Sequence, residues 1–361
     1  MENGSDLNSF VSTTDLLAPA SDDSEELYCG RRTSSPHEFF LFRIMFCYVN
    51  PGLSIFGFIT NMMSLEILRR SGLQKPSNIL LIGLVVADSM SLALTLNFGM
   101  IILEYGPRQF FIGTCTYNYG ESLNYCFAFF TTVFIYFGFW GRYVGSLLPT
   151  LITLERILAI FKPMAFKNIA TAKKYIVVVV FAFVFWLPYS LFLGSFYKIV
   201  SYYVSNFTVT SFQYQDYVID NYAFINAFEQ SVIDTLSSWF PLSFITLGCL
   251  LLLIKIKITL LKRRNLTLDR RSVQWSPRTT RTLMLSCVIF AVTHSIASFV
   301  LISQDTEVAI KLAIRNQFIH LLYISNASSN LFVYITANEK LQNIFVKMVF
   351  RIGDDPKLSK S

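Results

Sequence analysis

The polar side chains that stand out at depth within the apolar stretches of this chain are Asn61, Glu66, Asp88, Arg142, Glu155, Arg156, His294, Asn326 and Asn330. Holding an ionisable group in apolar surroundings is costly, so these positions point to function or to pairing. Their spacing supports neither hydrolytic nor metal chemistry. His37, His294 and His320 have no metal-ligand spacing, and neither an HExxH pattern nor a nucleophile elbow occurs. No cofactor, metal or enzymatic activity is therefore expected. What the residues can do is exchange partners. Glu155 and Arg156 end a long apolar stretch, where a small helix shift can move a guanidinium from one acceptor to another.

The elements that position these groups follow from composition. Of the 361 residues, 53% are hydrophobic and only 15% charged, against about 25% charged in a soluble domain. The apolar residues are blocked into runs at about 41–68, 78–105, 125–161, 174–197, 235–261, 280–303 and 316–336. Each is near the roughly 20 residues that cross a bilayer core. A span in lipid must satisfy its own backbone hydrogen bonds, so these are helices. The expected fold is an all-α membrane protein, a seven-transmembrane helix bundle over 41–336. It is flanked by an N-terminal tail at 1–40 and by an amphipathic helix with a short tail at 337–361.

Loop charges orient the bundle. Arg69, Arg70 and Lys75 follow the first span, and Lys162, Lys167, Lys173 and Lys174 the third. The fifth-to-sixth loop is the most basic, with Lys262, Arg263, Arg264, Arg270 and Arg271; Lys340, Lys347 and Arg351 follow the seventh span. The alternate loops carry Glu104 and Arg108, then Asp216, Asp220 and Glu229, then Asp305 and Glu307. By the positive-inside rule the N-terminus is outside and the C-terminus inside, so a multi-pass plasma-membrane protein is expected. The net charge of +7 thus belongs to one face of a membrane protein, and no nucleic-acid partner is expected. Residues 1–36 lack the basic start and apolar core of a signal peptide, so the first span is expected to act as its own insertion signal.

Asn3 and Asn206 sit in sequons in outer segments and are the candidate glycosylation sites; the sequons at Asn265 and Asn326 fall in an inner loop and a span. Cys29, Cys115 and Cys126 are the outer cysteines and the candidates for a disulfide. Cys47, Cys249 and Cys287 lie in spans and read as small apolar residues. After the last span, Leu341, Ile344, Phe345, Met348 and Val349 recur at helical spacing with Lys340, Lys347 and Arg351 off that stripe. This predicts a short eighth helix on the inner leaflet, with no cysteine after it to carry a lipid.

Five short patterns, in order, resemble those of rhodopsin-like G-protein-coupled receptors. Gly57-Phe-Ile-Thr-Asn61 resembles the first-span GxxxN and Leu84-Val-Val-Ala-Asp88 the second-span LxxxD. Glu155-Arg156-Ile157 is similar to the triplet ending the third span, and Pro241 lies where the fifth-span proline is expected. Asn326-Ala-Ser-Ser-Asn330-Leu-Phe-Val-Tyr334 is similar to the NPxxY variant of invertebrate peptide and chemosensory receptors. The resemblance covers roughly residues 40–350. It implies a receptor whose Arg156 leaves Glu155 for a heterotrimeric G protein, with Asn330 and Tyr334 repacking beneath it and Met164 plugging a pocket on the G protein. Asn61, Asp88, Arg142 and Asn326, polar residues at bundle depth, are expected to form an intramembrane polar core.

The departures are specific. His294 and Ile296 replace the sixth-span tryptophan and proline, Leu331 replaces the proline of NPxxY, and the loop at about 198–234 has no cysteine for the disulfide to the third span. Amine receptors of this class place an acid where this chain has Gly138, and opsins place a lysine in the seventh span, which residues 316–336 lack. Neither ligand is expected. Aromatic residues crowd the outer halves of the spans, and Tyr136, Trp140, Arg142, His294 and Tyr323 are the candidate ligand pocket, for a neuropeptide or a chemosensory small molecule. Arg142 has two readings. It lies at the depth of Asp88 and is expected to pair with it, Gly145 leaving room beside the acid; alternatively it faces the pocket floor beside His294 and meets an anionic ligand group. The competing class, a transporter or channel, lacks support: no repeated halves and no paired glycine-broken helices occur.

Overall fold

A computed structural model of the chain describes residues 36–72, 74–95, 121–164, 166, 170–204, 207–265, 277–302 and 309–350. The candidate glycosylation sites Asn3 and Asn206, the cysteines Cys29 and Cys115, the outer part of the second span and Arg351 lie outside these residues.

Seven helical spans form the expected bundle. The first runs through Pro36–Ile44, a π-helical turn at Met45–Val49 and Asn50–Ser71; the second is Pro76–Leu92, tightened at its end by a 3-10 turn, Ala93–Thr95. The third, Glu121–Phe161, keeps Pro149 inside its turns, and the fourth, Ala172–Gly194, keeps Pro188. The fifth starts earlier than its apolar window predicts. Asp216–Asp220, Tyr222–Phe228, the π-helical turns Glu229–Ile233 and Thr235–Trp239, and Phe240–Asn265 follow one another with little interruption. Glu229, which reads as a loop acid, and Asp234 therefore ride on this helix. Pro277–Ile302 is the sixth span, Ala309–Ser328 with Asn330–Ala337 the seventh, and Glu339–Phe350 the eighth helix.

Among the described residues, five helices are long and apolar enough to cross a membrane on those grounds alone: Asn50–Ser71, Pro76–Thr95, Ala128–Phe161, Ala172–Gly194 and Tyr222–Ile258. The sixth contributes the shorter apolar stretch Leu285–Val300. The seventh is diluted by Asn326, Ser328, Ser329 and Asn330, and these amphiphilic positions face its neighbours rather than lipid: Ser328 and Asn330 are buried. The fourth span shows the inverse. Only Ala182, Trp186 and Ser190, one residue per helical turn, are buried, while Val177 and Phe181 are 67% and 63% exposed. In water such a face would be a defect; around a bundle it is the lipid belt.

Close helix contact is set by small residues, as expected where lipid removes the hydrophobic drive between helices. On the third span, a Cβ on Gly138 would sit 2.6 Å from the Cβ of Leu94, and one on Gly141 2.5 Å from the carbonyl oxygen of Ala87. The core between the second, third, fourth and seventh spans holds Val85, Val144, Leu148, Trp186 and Tyr334. First and seventh spans are tied by Asn50, whose Nδ2 donates to Gln317 Oε1 at 2.8 Å.

Outside the bundle, the fourth-to-fifth connection is not the plain loop that its sequence suggests. It is an antiparallel hairpin of β1 (Tyr197–Val204) and β2 (Phe207–Tyr214), in register from Tyr197 opposite Tyr214 to Val204 opposite Phe207. Its base is fastened by Gln215 N donating to the Phe196 carbonyl at 2.8 Å and by the Lys198–Asp216 ion pair at 2.8 Å. The strands pack against the third span, the helix to which the missing disulfide would have tied this loop. At the opposite end, the eighth helix buries Leu341 and lays Ile344, Phe345 and Met348 on the core, as their spacing predicts; Val349 instead stays outside with Val346 and Phe350. Lys340 Nζ reaches the Ser71 carbonyl at 3.4 Å, a cation on the C-terminal end of the first span.

Candidate functional site

Three groups of polar residues lie along the bundle, from the eighth-helix end to the hairpin end. At the eighth-helix end, the third span delivers Glu155 and Arg156, and the first turn of the second span delivers Ser77. Ser77 Oγ donates to Glu155 Oε1 at 2.8 Å and accepts from Arg156 Nη2 at 2.6 Å, while Arg156 Nε and Glu155 Oε2 stand 3.3 Å apart. Glu155 is buried and the Arg156 side chain only 12% exposed. Charges so enclosed hold together only with good geometry and extra hydrogen bonds. Ser77 supplies both bonds. Its role was not legible in the sequence, because serine just after Pro76 reads as an ordinary helix start. Thr153 Oγ1 and Cys287 Sγ, 3.4 Å apart, join the third span to the sixth close by. Met164, just beyond the third span, is 82% exposed.

Deeper in, Asn330 gathers the second group. Its Nδ2 lies 2.6 Å from Asp88 Oδ2, 3.2 Å from the Ala327 carbonyl and 3.3 Å from Asn61 Oδ1. First, second and seventh spans thus meet at one amide. Tyr334, one turn further along, is fully buried with its hydroxyl unpartnered. Of the four residues expected in the polar core, Asn61 and Asp88 are here and two are not. Asn326 instead gives its carbonyl to both the backbone N–H (3.1 Å) and the hydroxyl (2.7 Å) of Ser329. That arrangement interrupts the seventh helix at Ser329 with leucine, not proline, at position 331; serine hydroxyls that bond back to the preceding turn bend helices in this way.

Arg142 is the other absentee, and the expected Asp88–Arg142 pair does not form. Gly141 and Gly145 face the second span; a Cβ on Gly145 would lie 3.4 Å from Asp88 Oδ1. One residue along from Gly141 the helix has turned by about 100°, so Arg142 points to the sixth and seventh spans. Its guanidinium carbon lies 3.8 Å from the centre of the Tyr323 ring. His294 stacks on Phe290 at 3.8 Å and meets Tyr323 edge-on at 5.0 Å. Arg142, His294 and Tyr323 therefore form one cluster beneath the hairpin end of the bundle, within electrostatic reach of His320 and Asp234.

The remaining pocket candidates pack elsewhere. Trp140 Nε1 donates to the Phe183 carbonyl at 2.9 Å and its ring meets Phe183 edge-on at 5.8 Å, both toward the fourth span. Tyr136 lies against Gly194 on that span and against Trp140. Between the fourth and fifth spans, Tyr143 stacks on Trp186 at 5.0 Å and Tyr189 donates its hydroxyl to Glu229 Oε1 at 2.9 Å. The third-span position that holds an acid in amine receptors is Gly138, and it has no room for one beside Leu94. Cys126 is exposed and free, and no group of metal-ligating residues occurs among the described residues.

Comparison with known proteins bears on the whole arrangement. The family model described as "Serpentine type 7TM GPCR chemoreceptor Srw" matches residues 48–352, from the π-turn of the first span to beyond the eighth helix. No curated protein matches the sequence.

Proposed function

The chain belongs to the Srw family of serpentine seven-transmembrane chemoreceptors, and from that premise we propose that it carries an extracellular chemical signal to a heterotrimeric G protein. The ligand, a chemosensory small molecule or a neuropeptide, enters from the hairpin end and meets Arg142, His294 and Tyr323. The eighth-helix end is cytoplasmic, as the loop charges imply, and the plasma membrane is the site of action. In this reading Glu155, Ser77 and Arg156 hold the resting state. Outward motion of the sixth span frees Arg156, and Asn330 and Tyr334 repack between the two ends; ligand acts by preferring one of two bundle states.

One observation carries the proposal: Arg156 is latched by Ser77 and Glu155 at the tip of the third span, poised between an internal partner and an external one. Cells expressing the chain would be screened for activation with peptide and odorant panels, and the first active compound would then be applied to Arg156→Ala. Signalling should vanish in that variant while surface expression persists; normal signalling would defeat the mechanism. Met164→Ala should weaken coupling less, because it removes packing rather than charge.

A further inference from the structure

Two guanidinium groups of the bundle form no ion pair among the described residues. Arg142 lies against Tyr323, and no carboxylate stands within ion-pair distance of it among the described residues. Three of the nearby acids have partners of their own. Asp88 accepts from Asn330, Glu155 faces Arg156 and Glu229 accepts from Tyr189, while Asp234, exposed on the fifth helix, feels the Arg142 charge without forming an ion pair with it. The second guanidinium is Arg315, on the same helix as Tyr323, eight residues earlier and so about 12 Å nearer the hairpin end. Its Nε and Nη1 are buried and have no hydrogen-bond partner.

A lone cation at membrane depth costs several kcal/mol, and such residues normally pair with each other, with backbone carbonyls or with a substrate. Among the described residues neither arginine is in an ion pair, and Nε and Nη1 of Arg315 meet no acceptor. A guanidinium lying over an aromatic face keeps its N–H edge free, and that edge matches a carboxylate fork. His294 on the sixth span closes the cluster beside Tyr323.

We propose that the cluster of Arg142, His294 and Tyr323 binds an organic anion, its carboxylate docked on the Arg142 guanidinium between Tyr323 and His294, and its far end read by Arg315. This rests on the reading of the chain as a ligand-operated receptor and names the charge class of its ligand. A ligand with an acidic group at both ends fits best, its reach set by the rise of about 12 Å along the seventh helix from Tyr323 to Arg315. Uncharged isosteres and amines fit worst, because they leave both cations stranded.

The test uses the full chain purified in lipid nanodiscs. Probes are α,ω-alkanedioates of graded length with the matching diamides, read by thermal shift and by titration. Dioates should stabilise the protein saturably, with an optimum length, and the diamides should not. Arg142→Gln should weaken the best dioate about 10- to 100-fold, the loss of one charge-assisted forked contact. Arg142→Lys should recover part of the affinity, and Arg315→Gln should abolish the length optimum while leaving short mono-acids unaffected. Equal responses to dioates and diamides, or unchanged binding in Arg142→Gln, overturn the proposal. Nucleotide exchange on added G protein is measured in parallel. Dioate binding without exchange refutes the receptor reading but keeps the anion site. Exchange driven by an uncharged compound and indifferent to Arg142→Gln refutes the anion site and keeps the receptor.

Discussion

Ser77→Ala isolates the latch at the tip of the third span without touching either charge. The hydroxyl makes two hydrogen bonds to charged groups, at 2.8 Å to Glu155 and 2.6 Å from Arg156. Each bond of this kind contributes about 1.5–3 kcal/mol. The direct Arg156–Glu155 approach at 3.3 Å survives and offsets part of the loss, leaving a net deficit of about 1.5–3 kcal/mol confined to the resting state. At 1.4 kcal/mol per tenfold, that moves the balance of states by about 10- to 100-fold. An active state populated at about 0.1–1% then rises to between about 1% and half of the molecules. The assay is ligand-independent guanine-nucleotide exchange in membranes, normalised to surface-labelled receptor. Basal exchange should climb by at least about tenfold. A basal rate equal to or below that of the unaltered chain, at equal surface expression, would refute the latch.

Asn330→Ala removes the amide that joins three spans and strands the buried Asp88, so the purified protein should lose about 2–4 kcal/mol of stability; an unchanged thermal midpoint would contradict this. Gly138→Ala should cost about 1–3 kcal/mol by overpacking against Leu94, and Gly138→Asp should not reach the surface; normal yield of the aspartate variant would show that the contact yields. Antibody should reach a tag at residue 3 on intact cells and one at residue 358 only after permeabilisation. Asn206→Gln should lower glycosylated mass and Asn265→Gln should not; sugar on Asn265 would invert the orientation.

Depth along the membrane was legible in the sequence, whereas direction around each helix was not. Long apolar windows locate the spans because lipid tolerates little else, and Leu341, Ile344, Phe345 and Met348 show their packed face through spacing alone. Asp88 and Arg142 stand at similar depth, but whether they meet depends on which turn of the third span faces the second. That was settled by Gly141 and Gly145, whose small size admits the neighbouring backbone. The hairpin was hidden for another reason. Tyr197–Val204 and Phe207–Tyr214 are rich in aromatic and β-branched residues, yet they lack the strict alternation of a half-buried strand. The early start of the fifth helix escaped because Asp216, Asp220 and Glu229 broke its apolar window, though acids at a helix start are ordinary.

The glycine contact between the second and third spans also fixes where the machine can move. Leu94 and the Ala87 carbonyl sit so near Gly138 and Gly141 that the two helices pack backbone to backbone. On the proposed mechanism the pair acts as a stator, and the rotor includes the sixth and seventh helices. Arg142 is mounted on the stator, whereas His294 and Tyr323 belong to the rotor. A molecule bridging them straddles the seam itself, so its length and stiffness, more than its total grip, would set the angle to which the moving half is driven.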